Sequence, residues 1–159
     1  MRTIPVGNMF AFVDDEDFDF LNRFVWYINR SDEKIYANTM LLINGKQAKI
    51  SMHRLLVAKQ STSPVDHRDH NTLNNQKENL RVCSLAGNSQ NQLKTKRKTS
   101  SIYKGVHRGK HNWVAQINSM TIKGNHAYLG SFKSEVDAAK AYDKAAIERF
   151  GEYANLNFK

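Results

Sequence analysis

The sequence has a single cysteine, Cys83, and no long apolar run. One cysteine excludes both an internal disulfide framework and a cysteine-rich zinc site within one chain. Any bound metal must then have oxygen and imidazole ligands, and we expect no structural zinc. No stretch reaches the roughly 18 apolar residues of a membrane-spanning helix, and the first residues lack the pattern of a secretory leader. We therefore expect an intracellular protein without a membrane partner.

Acidic residues are scarce outside one segment. The 159 residues include 24 Lys and Arg against 15 Asp and Glu, which gives a formal net charge of +9. A basic chain attracts polyanions, and nucleic acid binds it through phosphates. Charge alone fits ribosomal, membrane-surface and DNA-binding proteins equally. The acidic side chains gather at 14–19 and a basic run lies at 94–98, so we expect the central and C-terminal parts to face phosphate.

The first 60 residues carry local folding signals. Residues 1–13 alternate in a way typical of a short strand, and Asp17 or Asp19 is placed to cap a helix that continues to about Val25. The dipeptide Asn44-Gly45 between two strand-like runs predicts a type I′ hairpin. A short helix is expected from Ser51. We interpret its histidine, at position 53, as a packing residue, with contact to DNA as the alternative.

The segment 65–91 concentrates the groups that carry chemistry. Asp66 and His67 end an expected strand, where neighbouring side chains point to opposite faces. An Asn-rich loop follows, in which Asn71 and Asn74 suit turn formation. A carboxylate, a neutral imidazole and a distant amide are what a one-metal phosphodiesterase needs, because oxygen atoms bind hard divalent cations and imidazole takes a proton from water. The segment therefore indicates a nuclease site.

A second unit is expected at 102–159, after a basic linker at 94–101. The linker either follows phosphates or is a solvated spacer. Strand-like alternation occurs at 103–108, 113–118 and 127–132. A capping box begins at Ser134, and helical spacing continues to a C-cap at Gly151. We predict an α+β chain whose second unit is a small three-stranded antiparallel sheet packed on one helix.

The order HR, DH, a loop with NN, then NLR and a further Asn resembles the HNH nucleases, in particular the homing endonucleases of phages. The resemblance implies that His67 is the general base, with Asp66 before it as a metal ligand. It also implies that Asn79 ties the two strands together and orients the histidine. Asn88 would ligate the metal where many members have a second histidine. The implied cofactor is a divalent cation, Mg²⁺, with Mn²⁺ as the alternative.

This resemblance implies a nuclease domain at 1–93, with a ββα-metal core at about 50–93. The sequence departs from the family pattern at two positions. His70 stands where the family often has a glycine after the Asp of the loop. Gly87 precedes Asn88 in an expected helix, which disfavours glycine. Asp69 and His70 also form a second Asp-His pair, which is an alternative catalytic pair, and an inactive site used for binding is a further alternative.

The motifs YKGVHR, WVAQI, AYLGSF, AAKAYDKAAIERFG and ANLNF resemble, in this order, the Apetala-two/ethylene-response-factor (AP2/ERF) DNA-binding domain of plants and phage endonucleases. In that family an exposed sheet face enters the major groove. By position, the implied DNA contacts are Lys104, His107, Arg108, Trp113, Gln116, Asn118, Lys123 and Tyr128. Several arginines of plant members are Lys, His or Asn here, so reading of guanine by arginine does not carry over.

Together the two halves predict a metal-dependent homing endonuclease that cuts double-stranded DNA in the cytoplasm of a bacterial host, without an obligate protein partner. With an unperturbed histidine pKa of about 6.5, activity is expected to fall below that pH. A non-catalytic, sequence-specific DNA-binding regulator is the alternative. An RNA-binding or ribosome-associated protein would explain the charge but not the spaced Asp, His and Asn residues.

Overall fold

The computed structural model describes residues 1–31, 34–57, 63–84, 88, 91, 99–118 and 126–158. The chain is α+β, with small antiparallel sheets and few helices, as predicted. It divides into two compact units, Met1–Leu85 and Ala86–Lys159. The predicted domain limits at 93 and 102 stay predictions, and most of the basic linker falls outside the described residues. Within the described ranges, no helix has the length and apolar character needed to cross a bilayer.

The chain begins with a hairpin of β1 (Arg2–Val6) and β2 (Met9–Val13). A single strand was predicted here. Gly7 takes φ +59° in the turn, a conformation that glycine adopts without steric cost. Helix α1 (Asp15–Leu21) starts earlier than predicted and ends before Val25. The indole N–H of Trp26 donates to the Leu21 carbonyl at 2.9 Å, which fixes the chain where it leaves the helix.

Strands β3 (Tyr27–Ser31), β4 (Lys34–Ile43) and β5 (Lys46–Ser51) form an antiparallel sheet in that order. The predicted Asn44-Gly45 turn is confirmed, since both residues have the positive φ angles that type I′ requires. β3 pairs only with the first half of β4. The second half of β4 pairs with β5 alone, so the hairpin projects as a two-stranded ribbon.

The core of the first unit lies between the β1–β2 hairpin, α1 and the larger sheet. Full burial of one such aliphatic side chain is worth about 1.5–3 kcal/mol, so these residues fix the position of the sheet. The largest fully buried apolar side chains of this core are Ile4, Val6, Val13, Leu21 and Met52.

Helix α2 (Met52–Val57) packs against β6 (Val65–His67) and β7 (Leu80–Val82), which pair antiparallel. A helix after β7 would complete the ββα arrangement. That helix falls on residues 85–93, of which the structure describes only Asn88 and Asn91. The ββα-metal core therefore stays a prediction.

In the second unit, β8 (Val106–Arg108), β9 (Trp113–Asn118) and β10 (His126–Phe132) form an antiparallel sheet with β9 in the centre. Helix α3 (Glu135–Phe150) covers one face, and three of its alanines, Ala138, Ala139 and Ala146, are fully buried against the strands. The Ser134 side chain accepts the Asp137 N–H at 3.4 Å. The predicted cap is thus confirmed. A short 3-10 helix, Gly151–Tyr153, follows.

Candidate active site

His67 ends β6, and its side chain is only 5% exposed. Its ring packs edge-on against that of His53, with ring centroids 5.1 Å apart, and lies 6.3 Å from the ring of Tyr36. His53 comes from α2 and Tyr36 from β4. Two other elements therefore pack on the predicted base, and we call the three rings of His67, His53 and Tyr36 the His67 cluster.

Burial is the largest effect on His67 and lowers its pKa to about 4. The side chain of Asn75 and the carboxylates of Asp69 and Asp66 raise the pKa, whereas Lys34 lowers it further. Such a histidine is neutral at pH 7 and can accept a proton. The expected histidine pKa of about 6.5 is therefore wrong for His67. Since burial stabilises the neutral form, protonation of His67 moves down towards pH 4.

His53 has the same character as its neighbour. Burial, followed by the positive charges that His67 and Arg54 can carry, lowers the pKa of His53 to about 3. Two adjacent imidazoles in one buried cluster cannot both be charged at low cost. Near neutral pH both rings are therefore neutral, and His53 supports His67 by packing rather than by charge.

Asp66 lies opposite Arg81 in the β6–β7 pair. Its Oδ2 accepts from Nη2 of Arg81 at 2.7 Å and from Nε at 2.9 Å, and both side chains are buried. Removing one partner of a buried ion pair usually costs about 3–5 kcal/mol, because the other charge is left uncompensated. Asp66 therefore has a structural role beside its predicted role as a metal ligand, and loss of activity in an Asp66 variant alone would not identify a ligand.

Asn79 holds the loop that follows His67. Its Nδ2 donates to Oδ1 of Asp69 at 2.9 Å and to the Asn74 carbonyl at 2.8 Å. Its Oδ1 accepts the Asp69 N–H at 3.0 Å, and its carbonyl accepts the Arg68 N–H at 2.9 Å. One buried side chain thus joins both ends of the loop. Orientation of His67 by Asn79 stays a prediction.

Asp69 is the centre of the same loop. Its carboxylate accepts from the Asn71 N–H at 2.8 Å and from Nδ2 of Asn74 at 2.7 Å. Partial burial opposes ionisation, but hydrogen bonds from Asn74, Asn71 and Asn79 outweigh it and lower the pKa of Asp69. His70 has φ +65°, the left-handed conformation that explains why glycine suits this position. The structure uses Asp69 to shape the loop.

The acidic N-terminal segment anchors the other side of this loop. The Asp14 carboxylate accepts the Lys77 N–H at 2.8 Å and Nε2 of Gln76 at 3.2 Å. The Lys77 ammonium pairs with Glu16 and Asp17. The Asp14 side chain makes no cap to α1 and instead holds the loop that follows His67.

The predicted metal ligands are a carboxylate, Asp66, and an amide, Asn88. Oxygen donors of these two kinds fit Mg²⁺, which usually takes one or two protein ligands and keeps several waters. Asn88 has a helical backbone, is half-buried and belongs to the second compact unit. Across the described ranges, no group of three or more His, Cys, Asp or Glu side chains could hold a metal ion.

Sequence reasoning missed Tyr36 and Asn75 as neighbours of His67. Tyr36 lies near the start of β4, and the alternation of a strand gives the face of a side chain but not the segments that pack on that face. Asn75 is fully buried, whereas an asparagine in a polar loop is usually exposed. The HR pair of the family pattern includes His53, but the pattern does not show that the His53 ring packs on His67.

Four of the eight predicted DNA contacts lie on the sheet face opposite α3. His107 pairs with Val114, and Tyr128 pairs with Gln116, which places these side chains on one face. Asn118 alternates with the buried Ile117 and belongs to the same face. Tyr128 is 67% exposed. This face is polar and presents side chains of the kind that contact bases.

The remaining four predicted contacts have other positions. Arg108 pairs with Trp113, and its guanidinium lies 4.9 Å above the Trp113 ring. Trp113 also packs against the core on the α3 side. Lys104 is half-buried in the turn before β8, and burial lowers its pKa to about 8. Lys123 lies outside the described residues.

No protein-family model matches this chain. The chain is similar to a protein of Acanthamoeba polyphaga mimivirus described as an uncharacterized HNH endonuclease, at 31% identity over 157 residues, which cover 93% of this chain and 74% of that protein. The ethylene-responsive transcription factor WRI1 of Arabidopsis thaliana is 46% identical over 61 residues, 36% of this chain and 14% of that protein. Dehydration-responsive element-binding protein 2A of Oryza sativa subsp. japonica is 42% identical over 59 residues, 35% of this chain and 20% of that protein.

The plant proteins share one region with this chain, which spans about a fifth of their length or less. This similarity supports an AP2-like region. The viral relative is matched over most of both chains and comes from a virus of Acanthamoeba, so the specific link to phages stays a prediction. From this extended similarity it follows that the chain belongs to the HNH endonuclease family.

Proposed function

We propose that this protein is a metal-dependent DNA endonuclease of the homing type, which cuts at a site chosen with its AP2-like region. One observation carries the proposal. His67 is buried, is neutral at pH 7 and is held by rings from two other elements, in a chain that belongs to the HNH endonuclease family. A neutral imidazole held in this way suits a general base.

In the proposed reaction, a nitrogen of His67 accepts a proton from water while the water oxygen attacks the phosphorus atom. The bond from phosphorus to the leaving oxygen then breaks. Tyr36 and His53 restrict the His67 ring, so that little orientational freedom is lost on reaching the transition state. Because burial keeps His67 neutral, the base is available without prior loss of a proton.

Asp66 and Asn88 are the proposed protein ligands of the metal. A divalent cation, Mg²⁺ or Mn²⁺, would supply charge neutralisation at the phosphate and at the leaving oxygen when bound. Arg81 fixes the Asp66 carboxylate through two hydrogen bonds.

A matched pair of variants, Asp66→Asn and Arg81→Met, separates the two roles of this carboxylate. Both disturb the ion pair, but only the first changes a proposed ligand.

The second candidate function is a non-catalytic DNA-binding regulator. The similarity of part of the chain to two plant proteins named as a transcription factor and an element-binding protein favours it. Salt-dependent DNA binding does not separate the two functions, since both predict it. Cleavage that depends on a divalent metal does.

The test is conversion of supercoiled plasmids carrying random fragments of candidate host and viral genomes. We expect nicking with Mg²⁺, none with EDTA, and at least about a hundredfold slower nicking by His67→Gln, the usual size of a lost general base. His111→Gln, which changes an exposed histidine in the second unit, is the matched control and should nick normally. Nicking by His67→Gln at the normal rate would refute the role of His67, and DNA binding without any cleavage would favour the regulator.

A further inference from the structure

The three-stranded sheet of the first unit has two different faces. Directly paired residues of antiparallel strands share a face, and every second residue along a strand returns to it. Tyr36 pairs with Asn29, and two and six residues along β4 the same face carries Asn38, paired with Ser51, and Leu42, paired with Gln47. We call this the Tyr36 face. The opposite face includes Ala37, which is buried in the core.

The Tyr36 face leads directly to the proposed base. The Tyr36 ring lies 6.3 Å from that of His67 and 5.6 Å from that of His53. From Tyr36 outwards along β4, Met40 and Leu42 occupy the same face, and Leu42 is 73% exposed. Asn38, which lies between Tyr36 and Met40 on this face, is buried, so the exposed part of the face begins at Met40 and continues along the ribbon.

The charge of this face is positive. Lys34 and Lys49 are both exposed on it, one on each side of Tyr36. The Lys49 ammonium lies 3.5 Å from Oδ1 of Asn29, which confirms that the two side chains reach across the same face. The described residues of β3, β4 and β5 include no Asp or Glu. Asp32 and Glu33, which join β3 to β4, lie outside the described residues.

We propose that the Tyr36 face binds the DNA duplex beside the cut site, with Lys34 and Lys49 on backbone phosphates and the β4–β5 ribbon in the major groove. This inference rests on the proposed function, because the duplex is the substrate of the His67 site. A two-stranded ribbon fits the major groove, which is about 12 Å wide. Both faces carry two exposed positive side chains, but only the Tyr36 face reaches the His67 cluster, so the position of the proposed base decides which face meets the duplex.

The strand geometry gives the position of the Lys49 contact. Lys49 pairs with Met40, which lies four residues beyond Tyr36. The Lys49 ammonium reaches back from there to Oδ1 of Asn29, which pairs with Tyr36. It would therefore contact a phosphate close to the bond that is cut rather than farther along the ribbon.

The test compares two double variants of equal charge in the full-length protein. Lys34→Gln with Lys49→Gln removes two positive charges from the Tyr36 face. Arg30→Gln with Lys46→Gln removes two exposed charges from the opposite face of the same sheet. Binding to a 30-base-pair duplex of mixed sequence is measured by fluorescence anisotropy in EDTA, from 50 to 200 mM salt, and circular dichroism confirms that both variants are folded.

We expect the Tyr36-face variant to lower the slope of log affinity against log salt by about 2, since each phosphate contact contributes about 0.9. Its deficit in affinity at 50 mM salt should shrink about tenfold by 200 mM, whereas the opposite-face variant keeps the slope of the unmodified protein. Equal slopes for both variants would overturn the inference. Because binding in EDTA is measured without cleavage, a face-dependent slope together with a plasmid that stays uncut in Mg²⁺ would keep this surface as a DNA contact and favour the regulator over the nuclease.

Discussion

Acid should destabilise the first unit through its two buried histidines. The pKa of His53 is lowered from 6.5 to about 3 and that of His67 from 6.5 to about 4, and burial is the largest cause of both. Since the folded pKa lies below the unfolded one, the unfolded chain binds more protons between these values. Stability therefore falls as the pH falls through 6.5 and continues to fall until the folded pKa is reached.

The size of the effect follows from the two shifts. Between pH 6.5 and pH 5, each histidine is protonated in the unfolded chain and neutral in the folded one. One pKa unit corresponds to about 1.4 kcal/mol, so each histidine costs about 2 kcal/mol over this interval. Together they should lower the free energy of unfolding by about 4 kcal/mol. In His53→Gln, which has no titrating group at that position, we expect about half of this loss.

The assay is urea unfolding at pH 7 and pH 5, followed by the fluorescence of Trp26, which is buried in the core of the first unit. Trp113→Phe is introduced throughout, because Trp113 is the other tryptophan and lies in the second unit. His111→Gln serves as the control and should lose as much stability as the unmodified protein. An equal loss in His53→Gln and the unmodified protein would refute the buried, neutral state of His53.

Three further predictions concern the loop that follows His67 and the second unit. Asn79→Asp should lower the free energy of unfolding by at least about 2 kcal/mol, because it replaces a donor with a carboxylate oxygen facing Oδ1 of Asp69, 2.9 Å away. His70→Gly should raise it by up to about 1 kcal/mol, since φ is +65° there. Gly105→Ala should destabilise by about 2–4 kcal/mol, because a Cβ would overlap the Tyr142 ring at a residue with φ +74°. Urea unfolding measures all three.

Each of these variants has a partner that isolates its cause. Asn79→Ala removes the same donor without adding a charge and should destabilise less than Asn79→Asp. His70→Ala keeps the strained φ and should give no gain. Gly151→Ala has φ +52° but meets no atom within 4 Å, so it should cost only the backbone strain, about 1 kcal/mol. Equal costs at Gly105 and Gly151 would contradict the role given to the tyrosine ring.

Local sequence patterns correctly predicted the turn and the helix cap, which depend on neighbouring residues. Asn44-Gly45 and Ser134 were predicted correctly, because a turn or a cap depends on a few neighbouring residues. β3 was missed because YINRS has little apolar alternation and depends on pairing with β4. The family pattern singled out His67 and Asn79. It did not show that Tyr36 and His53 surround the first, since those contacts join segments far apart in sequence.

The loop that follows His67 is attached to the start of the chain, and this limits how much of the protein can be removed. The Phe12 N–H donates to the Leu73 carbonyl at 2.8 Å, and the Asn75 N–H donates to the Phe12 carbonyl at 2.8 Å. Closing a loop of roughly 60 residues to make such contacts costs about 4 kcal/mol in chain entropy. The motif segment at 50–93 is therefore not a module that can be moved alone into another protein. A graft or truncation would have to keep the first hairpin, because the loop makes these hydrogen bonds only with that hairpin present.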